Sequence, residues 1–178
     1  GQIVAPINVE IDLSNRCSLG CEWCHFGYTH TRGPLAGKRE KPGQAIPGGD
    51  LMNDDLAFSM VDQLNRAGVK SVTWTGGGEP TLHPAFDAIV NYTFVSTNLD
   101  QGLYTNGGHI DAGRAELLKQ SLTWVYVSLD CADRADYLSE KKVDYFERVC
   151  QGVRFLHAAS GDATIGVGFL IHSGNYLR

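Results

Sequence analysis

Three cysteines, Cys17, Cys21 and Cys24, fall within eight residues in the spacing Cys-x3-Cys-x2-Cys, close enough for their thiolates to converge on one metal centre. A structural zinc site wants four protein ligands, and His25, beside Cys24, is the residue that would complete a Cys3His set. Neighbours in sequence would then have to point at one ion. Ordinary four-iron, four-sulfur centres take four cysteines. Three ligands leave one position open, and an open position is what allows a small molecule to bind a metal and react there. The two remaining cysteines, Cys131 and Cys150, bring the total to five, an odd number poorly laid out for a disulfide framework. The pattern therefore reads as a reduced, cytoplasmic, metal-binding protein.

The elements that must position these residues follow from periodicity. Five apolar, β-branched segments, at about 7–13, 69–75, 102–105, 123–129 and 164–171, read as strands. Helical patterns lie between them. The first covers about 54–67, with Leu56, Met60, Val61 and Leu64 on one face and Gly68 as its stop. A second begins near Pro84 and groups Phe86, Ile89 and Val90; a short third covers about 111–120; a fourth, about 143–159, aligns Phe146, Val149, Cys150, Val153 and Leu156. Strand–helix alternation predicts a parallel sheet with right-handed crossovers, whose ligands sit at the carboxyl ends of the strands. The cysteine loop follows the first strand at that end.

Composition narrows the class of partner. With 43% apolar residues and a net charge of −5, the chain is of ordinary globular composition and argues against a general nucleic-acid binder. No apolar run approaches the roughly 18 residues of a membrane span, and the first 13 residues lack the basic start of a signal peptide. Residues 27–50 hold six Gly and three Pro and carry a local +2 through Arg32, Lys38, Arg39 and Lys41 against Glu40 and Asp50. This stretch is expected to be a long loop, either a solvated insertion or a lid over a substrate or partner.

Four motifs, one after each of the first four strands, carry a resemblance. Cys17-Ser-Leu-Gly-Cys21-Glu-Trp23-Cys24 is similar to the Cys-x3-Cys-x-aromatic-Cys signature of the radical S-adenosylmethionine (radical SAM) superfamily. Thr75-Gly76-Gly77-Gly78-Glu79-Pro80 resembles its Gly-Gly-Glu motif, Tyr104-Thr105-Asn106-Gly107 its third-strand ending, and Val127-Ser128-Leu129-Asp130 its fourth. The resemblance implies an α/β fold, a partial parallel (β/α)6-type barrel. It also implies an enzyme with one 4Fe-4S cluster on Cys17, Cys21 and Cys24, whose open iron binds S-adenosyl-L-methionine. Reductive cleavage would then release a 5′-deoxyadenosyl radical that abstracts hydrogen from a substrate, with a flavodoxin or ferredoxin as electron donor.

By the same resemblance Gly76, Gly77 and Gly78 let the backbone approach the methionine moiety, and Glu79 offers a carboxylate to its ammonium. Thr105 and Asn106 reach for its carboxylate, although Asn-Gly is also a common turn pair. Ser128 and Asp130 suit the ribose, the other reading of Asp130 being a loop cap. Trp23 contacts adenine or only covers the cluster. His25, His30 and His83 read as hydrogen-bonded structural residues, the other reading being a His that tunes the cluster's potential. Cys150 reads as core, and for Cys131, directly after Asp130, a hydrogen donor or a sulfur nucleophile facing the site is the functional reading. Gly166-Val-Gly168 lacks the third glycine of a dinucleotide fingerprint and lies in the wrong strand.

Two other classes compete: a zinc or cluster module without cofactor chemistry, and an electron-transfer iron–sulfur protein. The substrate stays open between a peptide laid under the 27–50 loop and a phosphate-bearing nucleotide or metabolite held by Arg32, Lys38, Arg39 or Lys41. An eight-unit barrel takes about 250 residues, so 178 allow five to six units. Residues 1–178 are thus expected to form one core domain with five strands, its sixth strand and C-terminal end missing.

Overall fold

The computed structural model describes residues 4–21, 23–24, 50–173 and 175–176. Within them the chain runs β1 (Asn8–Asp12), α1 (Asp54–Ala67), β2 (Ser71–Thr75), a 3-10 turn (Pro80–Leu82), α2 (Phe86–Ser96), β3 (Asp100–Thr105), α3 (Ala112–Ser121), β4 (Trp124–Ser128), α4 (Arg134–Lys141), α5 (Phe146–Ala158) and β5 (Thr164–Gly168). All five expected strands are present, paired in parallel and in chain order β1-β2-β3-β4-β5. The expected fifth strand stops at Gly168 instead of residue 171, and the expected fourth helix begins at Phe146. Helix α4 has no counterpart in the periodicity reading. The body of the 27–50 segment, with Arg32, Lys38, Arg39 and Lys41, lies outside the described residues.

Helix ends follow local chemistry. Asn53 caps α1 by accepting from Leu56 N at 3.2 Å, and Gly68, at φ 84°, turns the chain out of it. Asp111 and Asp133 cap α3 and α4 in the same way.

Alternation along each strand divides the sheet into two faces. Val72, Trp74, Leu103, Val125 and Val127 share one buried core with Val61, Phe86, Ile89, Leu118, Val149 and Leu156 from the helices. Gln101 sits in that core with every polar group satisfied. Its amide donates to Val90 O in α2 and Ser121 O in α3 at 3.2 and 3.1 Å, and its Oε1 accepts from Trp74 Nε1 at 2.9 Å. No described helix is long and apolar enough to cross a membrane.

The other face carries Thr75, Tyr104, Trp124, Tyr126 and Ser128. Tyr104 meets Trp124 and Tyr126 edge-on, with ring centroids 5.0 and 5.2 Å apart. Two glycines make room for these rings: a Cβ on Gly102 would lie 2.1 Å from the Trp124 ring, and one on Gly168 would lie 1.9 Å from the Tyr126 hydroxyl. Gly102→Ala should therefore lower stability by about 1–3 kcal/mol through overpacking. Gly113→Ala, where the new methyl meets nothing closer than 3.6 Å, should be neutral or stabilising by up to about 1 kcal/mol. Urea denaturation midpoints of the two variants test the contrast.

Candidate active site

At the carboxyl ends of the strands lies an open cavity of about 220 Å³. Its wall carries Cys17, Cys21, Trp23 and Cys24 from the loop after β1, Gly76, Gly78 and Glu79 from the loop after β2, Tyr104, Thr105 and Asn106 from β3, and Ser128, Asp130 and Lys141 from the β4 side. Sequence reasoning named all of these except Tyr104 and Lys141 as site residues. Gly77 is absent from the wall; its N–H donates instead to Asp12 Oδ2 at 3.1 Å.

The cysteine loop is fastened on two sides. Arg16 O accepts from Glu79 N at 2.6 Å, and Gly20 N donates to Lys141 O at 2.8 Å. Gly78 packs directly under the loop, since a Cβ there would lie 2.2 Å from Arg16 O. None of the three cysteines is in a disulfide with a described residue. Burial pushes the Cys21 thiol pKa up, Lys141 opposes this, and Cys24 and Asp130 add to it. Among the described residues no three metal-binding side chains gather round one ion-sized point. The three thiols border a cavity with room for a larger group.

Glu79 is 2% exposed, and its carboxylate accepts four hydrogen bonds. Thr81 N (3.2 Å), Thr81 Oγ1 (2.6 Å) and Thr105 Oγ1 (2.6 Å) donate to Oε1, and Asn106 N (2.7 Å) donates to Oε2. Burial raises its pKa while these donors hold it down. Asn106 is equally engaged: Nδ2 donates to Ser18 Oγ at 3.3 Å and lies 3.9 Å from Cys17 Sγ, and Oδ1 accepts from Gly108 N at 2.8 Å.

Asp130 has left-handed backbone, φ 62°, and its carboxylate accepts from Leu170 N at 3.0 Å and from Lys141 Nζ. Lys141 is 2% exposed, also donates to Ser128 O at 3.2 Å, and places its ammonium 5.2 Å over the Trp23 ring. The Ser128 hydroxyl makes no hydrogen bond among the described residues.

These geometries and the sequence agree on a family. A model of the radical SAM superfamily matches residues 11–175. The chain belongs to the radical SAM superfamily. Members use a 4Fe-4S cluster and S-adenosylmethionine. The chain is 31% identical over 153 residues to GTP 3′,8-cyclase 2 of Mycobacterium tuberculosis, covering 85% of this chain and 39% of that protein. It is 30% identical over 146 residues to a probable GTP 3′,8-cyclase of Pyrococcus abyssi, covering 82% of this chain and 42% of that one. The chain thus spans about two fifths of the length of these relatives. Among solved structures, anSMEcpe with bound AdoMet superposes with a TM-score of 0.66 at 22% identity, over 90% of this chain and 43% of that one. Streptococcus suis SuiB bound to precursor peptide SuiA superposes at 0.68 with 19% identity, over 98% and 36%. Both show the partial-barrel fold.

The remaining residues of interest sort by contact. His83 is buried, accepts from Ala85 N at Nδ1 (3.2 Å) and donates from Nε2 to Met52 O (2.8 Å), a structural role. Cys131 is buried, faces Glu140 rather than the cavity, and has its thiol pushed up to about 12 by burial and Glu140. Cys150 is half-buried on α5. His25 and His30 lie outside the described residues. His109, which sequence reasoning passed over, bonds Ser18 Oγ through Nε2 at 3.1 Å. Burial, with Arg148 and Arg114 nearby, lowers its pKa to about 4.

Two outcomes follow. Lys141→Met should destabilise the fold by about 3–5 kcal/mol, because Asp130 is left as an uncompensated buried charge, and Asp130→Asn in the same chain should restore much of that loss in urea titrations. His109 stays neutral in the folded chain down to about pH 4, whereas the unfolded imidazole takes up a proton near 6.5. The unfolded state then binds more protons between these values, so this contribution to stability is full above pH 6.5 and falls as pH drops towards 4. His109→Gln should flatten that part of the pH–stability curve relative to the parent.

Proposed function

We propose that this chain is the catalytic core of a radical SAM enzyme that takes a hydrogen atom from a phosphate-bearing nucleotide. The single cavity that gathers Cys17, Cys21 and Cys24 with Glu79, Ser128 and Lys141 carries the reading. Three cysteine thiols from one loop on the cavity wall fit a cluster that keeps one iron open for a ligand. When bound, the cluster and S-adenosylmethionine supply one-electron cleavage of the sulfonium and the 5′-deoxyadenosyl radical.

The chain's own residues bind and orient. Gly76 and Gly78 present bare backbone to the methionine moiety, with Gly77 completing the turn. Glu79 Oε2 accepts one hydrogen bond and so retains acceptor capacity for the ammonium. Lys141 is the cation on the described wall; two of its three donors are engaged, and the third suits the carboxylate. Thr105 and Asn106 act mainly by holding Glu79 and the cysteine loop. The Ser128 hydroxyl suits the ribose, Asp130 positions Lys141, and the Trp23 ring shields the cluster and adenine from water.

Sequence similarity to GTP 3′,8-cyclases supports a nucleotide substrate. So does Tyr104, a 43% exposed ring at the cavity edge on which a base can stack. The phosphates would fall to Arg32, Lys38, Arg39 and Lys41. Residues 1–178 would form one core domain acting in the cytoplasm, reduced by a flavodoxin or ferredoxin.

Anaerobic reconstitution should give about four irons per chain, a brown protein, and 5′-deoxyadenosine that accumulates faster with GTP than with peptides. A zinc module would neither colour nor cleave the cofactor. Neutralising the four basic residues should raise the apparent KM for nucleotide about tenfold or more while substrate-free cofactor cleavage is preserved. An unchanged KM would favour the peptide reading.

A further inference from the structure

Helix α4 is bonded to the cysteine loop at its last turn, where Lys141 O accepts from Gly20 N at 2.8 Å. Tyr137 stands four residues earlier, one turn back on the face that carries Lys141. It is fully buried, and its ring packs against Phe146 with centroids 6.0 Å apart. Among the described residues its hydroxyl is the one buried side-chain polar atom without a hydrogen-bond partner. Buried hydroxyls are almost always paired, so this one marks a missing acceptor.

The surroundings identify the acceptor's chemistry. Burial raises the phenol pKa, and Cys21, Cys131, Cys17 and Asp130, in that order, raise it further. The hydroxyl therefore remains a donor at physiological pH and lies within electrostatic reach of two of the three cluster cysteines. Asp130 already accepts from Lys141 Nζ and Leu170 N, and the Cys131 thiol donates to Glu140 Oε2. The acceptors that loading the site would add on that side are the sulfurs of the proposed cluster.

We propose that the Tyr137 hydroxyl donates a hydrogen bond to a sulfur of the cluster held by Cys17, Cys21 and Cys24, and thereby raises the cluster's reduction potential. The inference rests on the cluster reading above. A donor to cluster sulfur stabilises the added electron, so removing it disfavours reduction. Tyr137 is then a positioning and tuning residue that need not touch substrate.

The test is Tyr137→Phe, which deletes one oxygen and keeps the ring. Reductive titration of the reconstituted protein, followed by electron paramagnetic resonance, should show the reduced-to-oxidised ratio at a fixed potential falling about threefold to tenfold, tenfold being about 59 mV for one electron. The thermal midpoint of the cluster-free protein should be unchanged or raised, since no bond is lost there. Incorporation of 3-fluorotyrosine at 137, a stronger donor, should shift the ratio the other way and keeps the test available if the Phe variant does not fold. Unchanged ratios in fully loaded variants would overturn the inference. So would a less stable cluster-free Phe variant with an unchanged ratio, the signature of a hydroxyl bonded to buried water. Failure of the parent protein to take up a cluster would overturn the three-cysteine reading instead.

Discussion

The candidate site depends on one buried carboxylate. Glu79 has been taken out of water, which is tolerable only because four donors reach it from two elements. Its backbone N–H bonds the cysteine loop at Arg16 O, its side chain bonds the 3-10 turn at Thr81, and it also bonds the end of β3 at Thr105 and Asn106. Asn106 then extends the network to Ser18 and Cys17. The loops after β1, β2 and β3 are thus one hydrogen-bonded body, and removing the carboxylate would orphan donors in two of them at once.

A second clamp holds the opposite side. Asp130, in left-handed backbone just past β4, ties the exit of β5 through Leu170 N and the end of α4 through Lys141. The same lysine residue meets the cysteine loop through its main-chain oxygen. Both clamps pair charge with compensating groups inside the chain, so the cavity between them is preorganised by contacts that need no ligand. Backbone and side chains on its wall then have little freedom to lose when a ligand binds, which is the condition under which a small polar pocket binds well.

Strand positions could be read closely because a parallel sheet covered by helices leaves dense apolar segments, and β2, β4 and most of β3 fall where that density predicts. Helix α4 escaped notice for the opposite reason. It has eight residues, Tyr137 and Leu138 are its only large apolar side chains, and Leu138 is half exposed, so no periodicity marks it. The Asp133 cap with Asp136 three residues on was the available signal. Lys141 was invisible as a site residue because only tertiary packing buries it. Local sequence draws attention to the glycines of the 76–78 run and the 27–50 segment. Gly102 and Gly168 instead yield to Trp124 and Tyr126, and Gly161 lies against Lys119 O. Neighbours contributed by other strands leave no trace in local sequence.

The inner face of the sheet joins the cavity to the aromatic cluster. Tyr104 belongs to both: it borders the cavity, and its ring meets Trp124 and Tyr126 on the adjacent strand. A group stacked on the exposed part of Tyr104 is consequently next to whatever occupies the cavity, while the space over Gly102 and Gly168 is taken by the Trp124 ring and the Tyr126 hydroxyl. On the proposed function this adjacency is the chemical requirement. A radical formed in the cavity would have to meet its hydrogen donor at contact distance before water or a protein side chain quenched it, and the exposed Tyr104 ring at the cavity edge would provide that meeting place.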